Sequence, residues 1–154
     1  MKKITNGSKG FTLIEILVVI GIIAILATVV LIAINPARQF SQANDTQRSS
    51  NVNAILNAIG QYMADNKGAL PSAVPAKGAT AVEVGSSLCG DLVPTYVPSL
   101  PTDPKSTKKG SSITTCSEAV AGAVRYFVAQ DNNGRITISA PDTEIANPDI
   151  AVTR

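Results

Sequence analysis

The chain contains no histidine and no tryptophan in 154 residues, and aromatic side chains are only 4% of the total. Without histidine, the Ser-His-Asp and Cys-His arrangements of nucleophilic catalysis are excluded. The two cysteines, Cys89 and Cys116, supply at most half of a tetrahedral zinc shell, and no imidazole is present to complete it. No glycine-rich phosphate loop follows a strand pattern. Gly7-Ser8-Lys9-Gly10 stands near the start of the chain, with no strand before it. Scattered carboxylates are what remains, and alone they specify no reaction. The inventory therefore predicts a protein that is not an enzyme and has no obligatory cofactor.

Charge is also missing from two places where its absence is informative. No acidic residue precedes Glu15, whereas Lys2, Lys3 and Lys9 do. No charged residue at all occurs in the nineteen positions from Ile16 to Ile34. As a helix that run extends about 28 Å, close to the ~30 Å hydrocarbon core of a bilayer. The basic side lies N-terminal, so the positive-inside rule keeps that end cytoplasmic and exports the rest. A buried core helix is the competing reading. A helix apolar on every side needs a large protein around it, which a chain of this length does not provide. A cleaved secretory signal would have a shorter apolar stretch and a small-residue cleavage site after it. Here the run ends at Asn35-Pro36 without such a site, so the segment is expected to be retained. The formal net charge of +2 comes from the basic start. Without residues 1–10, ten basic residues face eleven acidic ones, a net of −1. That near-neutrality gives no reason to expect specific nucleic-acid binding.

Glu15 interrupts the apolar block, with Phe11-Thr12-Leu13-Ile14 before it and Ile16-Leu17-Val18-Val19-Ile20 after it. A charge deep in a membrane helix costs roughly 2.5–3.5 kcal/mol on insertion scales. One reading places Glu15 shallow, at the headgroups, or makes it a cap that favours the helix dipole. The other gives it a cationic partner from another subunit.

Lys9-Gly10-Phe11-Thr12-Leu13-Ile14-Glu15, followed by the apolar run, resembles the cleavage and methylation motif of type IV prepilins and type II secretion pseudopilins. The resemblance covers roughly the first 35 residues of the chain. It implies that a prepilin peptidase cuts between Gly10 and Phe11 on the cytoplasmic side, and that the new Phe11 terminus is N-methylated. Glycine suits such a cut because it lets the backbone approach a membrane protease closely. Cleavage creates an α-amino charge on Phe11, four residues from Glu15 on one helical face. The resemblance implies that a neighbouring subunit's Phe11 amine pairs with Glu15; the residues alone also permit an intramolecular pair. It further implies partners: copies of the chain, related minor pilins or pseudopilins, and an inner-membrane assembly platform driven by a cytoplasmic ATPase. The implied location is the bacterial inner membrane, with a single pass and an exported C-terminal domain, then a periplasmic or extracellular filament. A membrane-anchored binding protein that never polymerises is the alternative function.

The expected fold is α+β and type IV pilin-like. Residues 1–10 are a leader and 11–35 a membrane or filament-core helix. Residues 36–66 form an amphipathic helix and 67–154 a small β-containing domain. Pro36 predicts a kink or local melting over Ile32–Ala37, or a second helix that begins with proline at an early position. Val52, Ile55, Leu56, Ile59, Tyr62 and Met63 recur at spacings of three and four and predict a buried stripe packed on the sheet. Arg38, Gln42, Asp45, Arg48 and Asn53 are expected to face solvent or neighbouring subunits. Asn66-Lys67-Gly68 reads as the helix stop.

From Lys67 onward, 88 residues hold eight of the nine prolines. Gly68–Ser87 is expected to be an irregular loop, with a short helix near Gly85–Leu92. Tyr96 followed by Leu100-Pro101-Thr102-Asp103-Pro104 is similar to the loop before the sheet in major pseudopilins, a rigid turn that packs Tyr96 and Leu100 on the helix. The long domain leans instead toward pilins. Lys105–Gly110 reads as a solvated basic loop. Val124–Gln130 and Arg135–Ala140, joined by Asp131-Asn132-Asn133-Gly134, predict a β-hairpin, with a third strand near Ser112–Cys116. That turn lacks the spaced acidic ligands of an EF-hand. The tail from Pro141 to Arg154 is expected to be solvated. The pseudopilin resemblance makes Asp142 and Asp149 weak calcium candidates, although the family's paired aspartates are missing. In the exported region Cys89 and Cys116 can form a disulfide.

Overall fold

The computed structural model describes residues 10–154. Residues 1–9, which hold nearly all of the expected leader and its three lysines, lie outside the described residues. Two compact units divide the chain, one ending at Gln39 and the other running from Phe40 to Arg154.

The first unit is dominated by α1, Leu13–Ala33, twenty-one residues in which every side chain is exposed. Its composition meets the length and apolarity needed to cross a membrane. Ile34 closes it, with its N–H donating to Val30 O at 3.1 Å. Helix α2, Pro36–Asp65, starts two residues later. The Asn35 side-chain oxygen accepts from Arg38 N at 3.3 Å, so Asn35 acts as the cap and Pro36 occupies the first helical position. Proline fits there because its missing N–H would have had no helical partner. The interruption and the second helix start expected from Asn35-Pro36 are thus one feature.

The stop of α2 is local chemistry. Lys67 and Gly68 both take positive φ, 56° and 86°. Gly68 N donates back to Met63 O at 2.7 Å. This is the left-handed closure that glycine adopts without steric cost.

In the second unit the order continues with β1 (Val82–Glu83), α3 (Ser86–Leu92), a short 3₁₀ turn at Cys116–Glu118, β2 (Phe127–Gln130), β3 (Ile136–Ala140) and β4 (Ile150–Thr153). The four strands form one antiparallel sheet in chain order. The β2–β3 hairpin matches the sequence expectation. Asp131 Oδ1 accepts from Asn133 N and Arg135 N, and Gly134 turns the chain at φ 87°. In register, Val128 opposes Ile138 and Gln130 opposes Ile136. Ile136, Ile138 and Ala140 are buried on the face that meets α2, alternating with half-buried Thr137 and Ser139. Val52, Ile55, Leu56 and Ile59 of α2 belong to the same core cluster, with Tyr62 and Met63 packed at its margin.

The remaining strands differ from expectation. No strand occupies Ser112–Cys116; Ile113 makes only an isolated antiparallel bridge with Leu100. The hairpin is flanked instead by β1, from the segment read as loop, and by β4, from the tail read as solvated. Both are edge strands whose formation rests on pairing with β2 and β3 rather than on their own residues. The Leu-Pro-x-Asp-Pro segment does form a packed turn. Leu100 is fully buried, and the rings of Tyr96 and Tyr62 meet edge to face at 5.7 Å.

Candidate assembly site and the buried charge cluster

Gly10 and Phe11, the pair expected to flank the cleavage point, are both exposed. Thr12 is the N-cap of α1, in extended conformation. Glu15 sits three residues on and completes a capping box. Its Oε2 accepts from Thr12 N and from Thr12 Oγ1, each at 2.7 Å, while Glu15 N donates to Thr12 Oγ1 at 3.3 Å. A capping role, one of those considered from sequence, is the one seen in the single chain. All of these side-chain hydrogen bonds to the carboxylate fall on Oε2. Among the described residues Oε1 makes none, so the cap and an ion pair to a second chain are geometrically compatible.

A second polar constellation was not legible in the sequence. Arg48, expected to face outward from α2, is fully buried, and Asp45 nearly so. Arg48 Nε and Nη2 donate to the Asp103 carboxylate at 2.7 and 3.1 Å. Its Nη1 donates to Asp45 Oδ1 at 2.8 Å and to Glu144 Oε1 at 3.0 Å. One guanidinium fork thus joins α2, the proline-rich turn and the segment before β4. Glu144 also accepts from Ser41 Oγ and Asn44 Nδ2, and Lys105 Nζ lies 3.5 Å from its Oε2. Asp45 in turn accepts the backbone N–H groups of Glu144, Ile145 and Ala146. In the loop read as solvated, Lys105, Thr107 and Lys109 are exposed, while Ser106 is buried. The sequence carried one signal of this, the acid-then-base spacing of Asp45 and Arg48 on one helical face. Nothing local names Asp103 or Glu144 as their partners.

Burial pushes the Asp45 carboxyl up, but the three backbone donors and Arg48 outweigh it and bring it down to about 2. Hydrogen bonds from Asn44, Arg48 and Ser41, with Lys105 nearby, overcome burial and hold Glu144 at about 2 as well. Burial alone would lower the Arg48 pKa, yet its three carboxylate partners leave it raised. Both carboxyls thus titrate lower in the folded state than in the unfolded one, so their stabilisation is fully present above about pH 4.5 and is lost as pH falls through 2. The expected result is a thermal midpoint that falls steadily between those values. An Asp45→Asn/Glu144→Gln variant, scanned by circular dichroism over the same range, should show a flatter profile.

The calcium candidates are differently placed. Asp142 receives Arg125 Nε and Nη2 at 2.5 and 2.6 Å, so its carboxylate is engaged by a guanidinium. Among the described residues no three acidic, cysteine or histidine side chains gather where they could hold a metal ion, and Asp149 joins no such group. Cys89 and Cys116 are joined in a disulfide that ties α3 to the 3₁₀ turn, with Cα atoms 5.5 Å apart.

Residues 5–31 match the family described as the prokaryotic N-terminal methylation motif. The chain is 46% identical over 61 residues to the type IV wide pilus major component PilA4 of Thermus thermophilus, which covers 40% of this chain and 45% of that protein. The aligned region therefore spans less than half the length of this relative. No solved structure matches the chain. The methylation-motif match is confined to residues 5–31, and the likeness to a pilus component extends over 40% of the chain.

Proposed function

We propose that the chain is a structural subunit of a type IV pilus-like filament. A prepilin peptidase removes residues 1–10, and Phe11 is then N-methylated. Before assembly α1 anchors the subunit in the inner membrane, with the domain that follows exported. An inner-membrane platform then packs α1 against copies of itself and of related minor subunits. The single observation that carries this reading is α1 itself: an apolar helix with no buried residue and one carboxylate at its head. Such a surface is stable only in lipid or among copies of itself. The likeness to a pilus component favours a pilus over a secretion pseudopilus.

Within this reading Glu15 has two tasks. Through Oε2 it caps α1, and through Oε1 it receives the α-amino charge of a neighbour's Phe11. Glutamine retains capping ability but not the charge. Glu15→Gln is therefore expected to be cleaved normally, to yield a Phe11 terminus by mass spectrometry, and to lose most sheared filament. Filaments in normal amount from Glu15→Gln would remove the charge from the mechanism. Native material that begins at Met1 and stays monomeric would overturn the filament reading and favour a membrane-anchored binding protein.

A further inference from the structure

Within Phe40–Arg154, Phe40 is the most exposed of the large apolar side chains, at 72%. It lies on α2 seven residues after the end of α1. Four residues of helix separate it from Pro36, a rise of about 6 Å. Even a fully extended path from Ala33 would be no longer than about 25 Å. The connecting chain therefore keeps Phe40 within that distance of the end of α1. A helical side chain leans toward its own N-terminus, so the ring covers the turn nearer α1. We propose that Phe40 is an interfacial anchor whose ring enters the boundary between headgroups and acyl chains of a zwitterionic phospholipid bilayer, holding the exported domain at the membrane surface before assembly. The inference rests on the reading of α1 as a membrane helix.

The surroundings select the ring rather than charge as the means of contact. Ser41, next to Phe40, donates to Glu144 Oε2 at 3.0 Å, and Lys105 Nζ lies 3.5 Å from that same oxygen. The Lys105 ammonium is thus already answered by a carboxylate. Asp45, Asp103 and Glu144 face Arg48 and Lys105; with the exposed Arg38, two residues before Phe40, three negative charges stand against three positive. This neighbourhood offers anionic lipid no net attraction. A phenyl ring at headgroup level needs none, because it binds there by burying apolar area at the headgroup and acyl-chain boundary.

The chain lacks tryptophan, so a single substitution creates a unique fluorescent probe. Full-length Phe40→Trp and Ile23→Trp proteins are reconstituted in phosphatidylcholine vesicles carrying bromine either high on the acyl chains or near their ends. Expected for Phe40→Trp is a blue-shifted emission, quenched more by the upper bromines than by the lower. Adding phosphatidylglycerol should leave it unchanged. Ile23→Trp should be quenched mainly by the lower bromines. Water-like, unquenched emission from Phe40→Trp beside a quenched Ile23→Trp overturns the anchor and leaves the membrane helix standing. If neither probe is quenched, the membrane reading fails and this one with it. A blue-shifted Phe40→Trp that no bromine quenches, and whose shift follows the protein-to-lipid ratio, assigns the surface to a second copy of the chain and overturns the lipid assignment.

Discussion

Replacing Arg48 with alanine should destabilise the folded domain by about 3–5 kcal/mol, the range for removing one partner of a buried ion pair. The cost comes from what is left behind. Asp103 is fully buried and Asp45 nearly so, and both would keep a charge with no cation inside the protein. Asp103 would lose both arms of its bidentate contact. In the full-length protein in detergent micelles this loss lowers Tm by on the order of 10–20 °C. Lysine should rescue little, because an ammonium cannot reproduce the planar fork that reaches Asp103, Asp45 and Glu144 together. The exposed pair Lys108–Glu118 serves as the control: its members are 35% and 53% accessible, and Lys108→Ala should cost no more than ~1 kcal/mol. Equal Tm values for Arg48→Ala and Lys108→Ala would show that the cluster does not hold the domain together.

Opening the Cys89–Cys116 disulfide should cost a similar amount. The bridge spans a separation of 27 residues, and closing a loop of that size restricts the unfolded chain by about 3.5 kcal/mol. The loop contains the proline-rich turn, Asp103 and the Leu100–Ile113 bridge, so reduction frees in the unfolded state the stretch that Arg48 holds in the folded one. A Cys89→Ala/Cys116→Ala variant should unfold near the midpoint of the thiol-reduced wild type, and both well below the oxidised protein. Identical melting of oxidised and reduced protein would refute the contribution. The two devices act on the same segment, so combining Arg48→Ala with reduction should leave the sheet unable to retain β4 at ambient temperature.

The legible parts of this protein share a property: their signals are local. The apolar run of α1, free of charge after Glu15, can be read without any partner in the chain. A capping role for Glu15 was readable from its place at the head of the run, although Thr12 was named as its partner only by the structure. The α2 stripe repeats at helical spacing, and the Asn66-Lys67-Gly68 stop and the Asp131–Gly134 turn follow from residues that tolerate left-handed backbone. Each of these elements was identifiable before its neighbours were known.

What was misread depends on contacts between distant parts of the chain. Arg48 looks like a solvated residue until Asp103 and Glu144, fifty-five and ninety-six positions away, arrive to neutralise it. Val82–Glu83 and Ile150–Thr153 are short and unremarkable as sequence, and become strands because β2 and β3 present free edges to them. The acidic tail is ordered because Asp45 collects its backbone N–H groups. Periodicity and turn chemistry are properties of neighbouring residues and can be read along the chain. Burial of a charge and pairing of an edge strand are settled only when the folded backbone brings remote groups within hydrogen-bond distance, since there the cost of leaving water is offset by partners that no local pattern identifies.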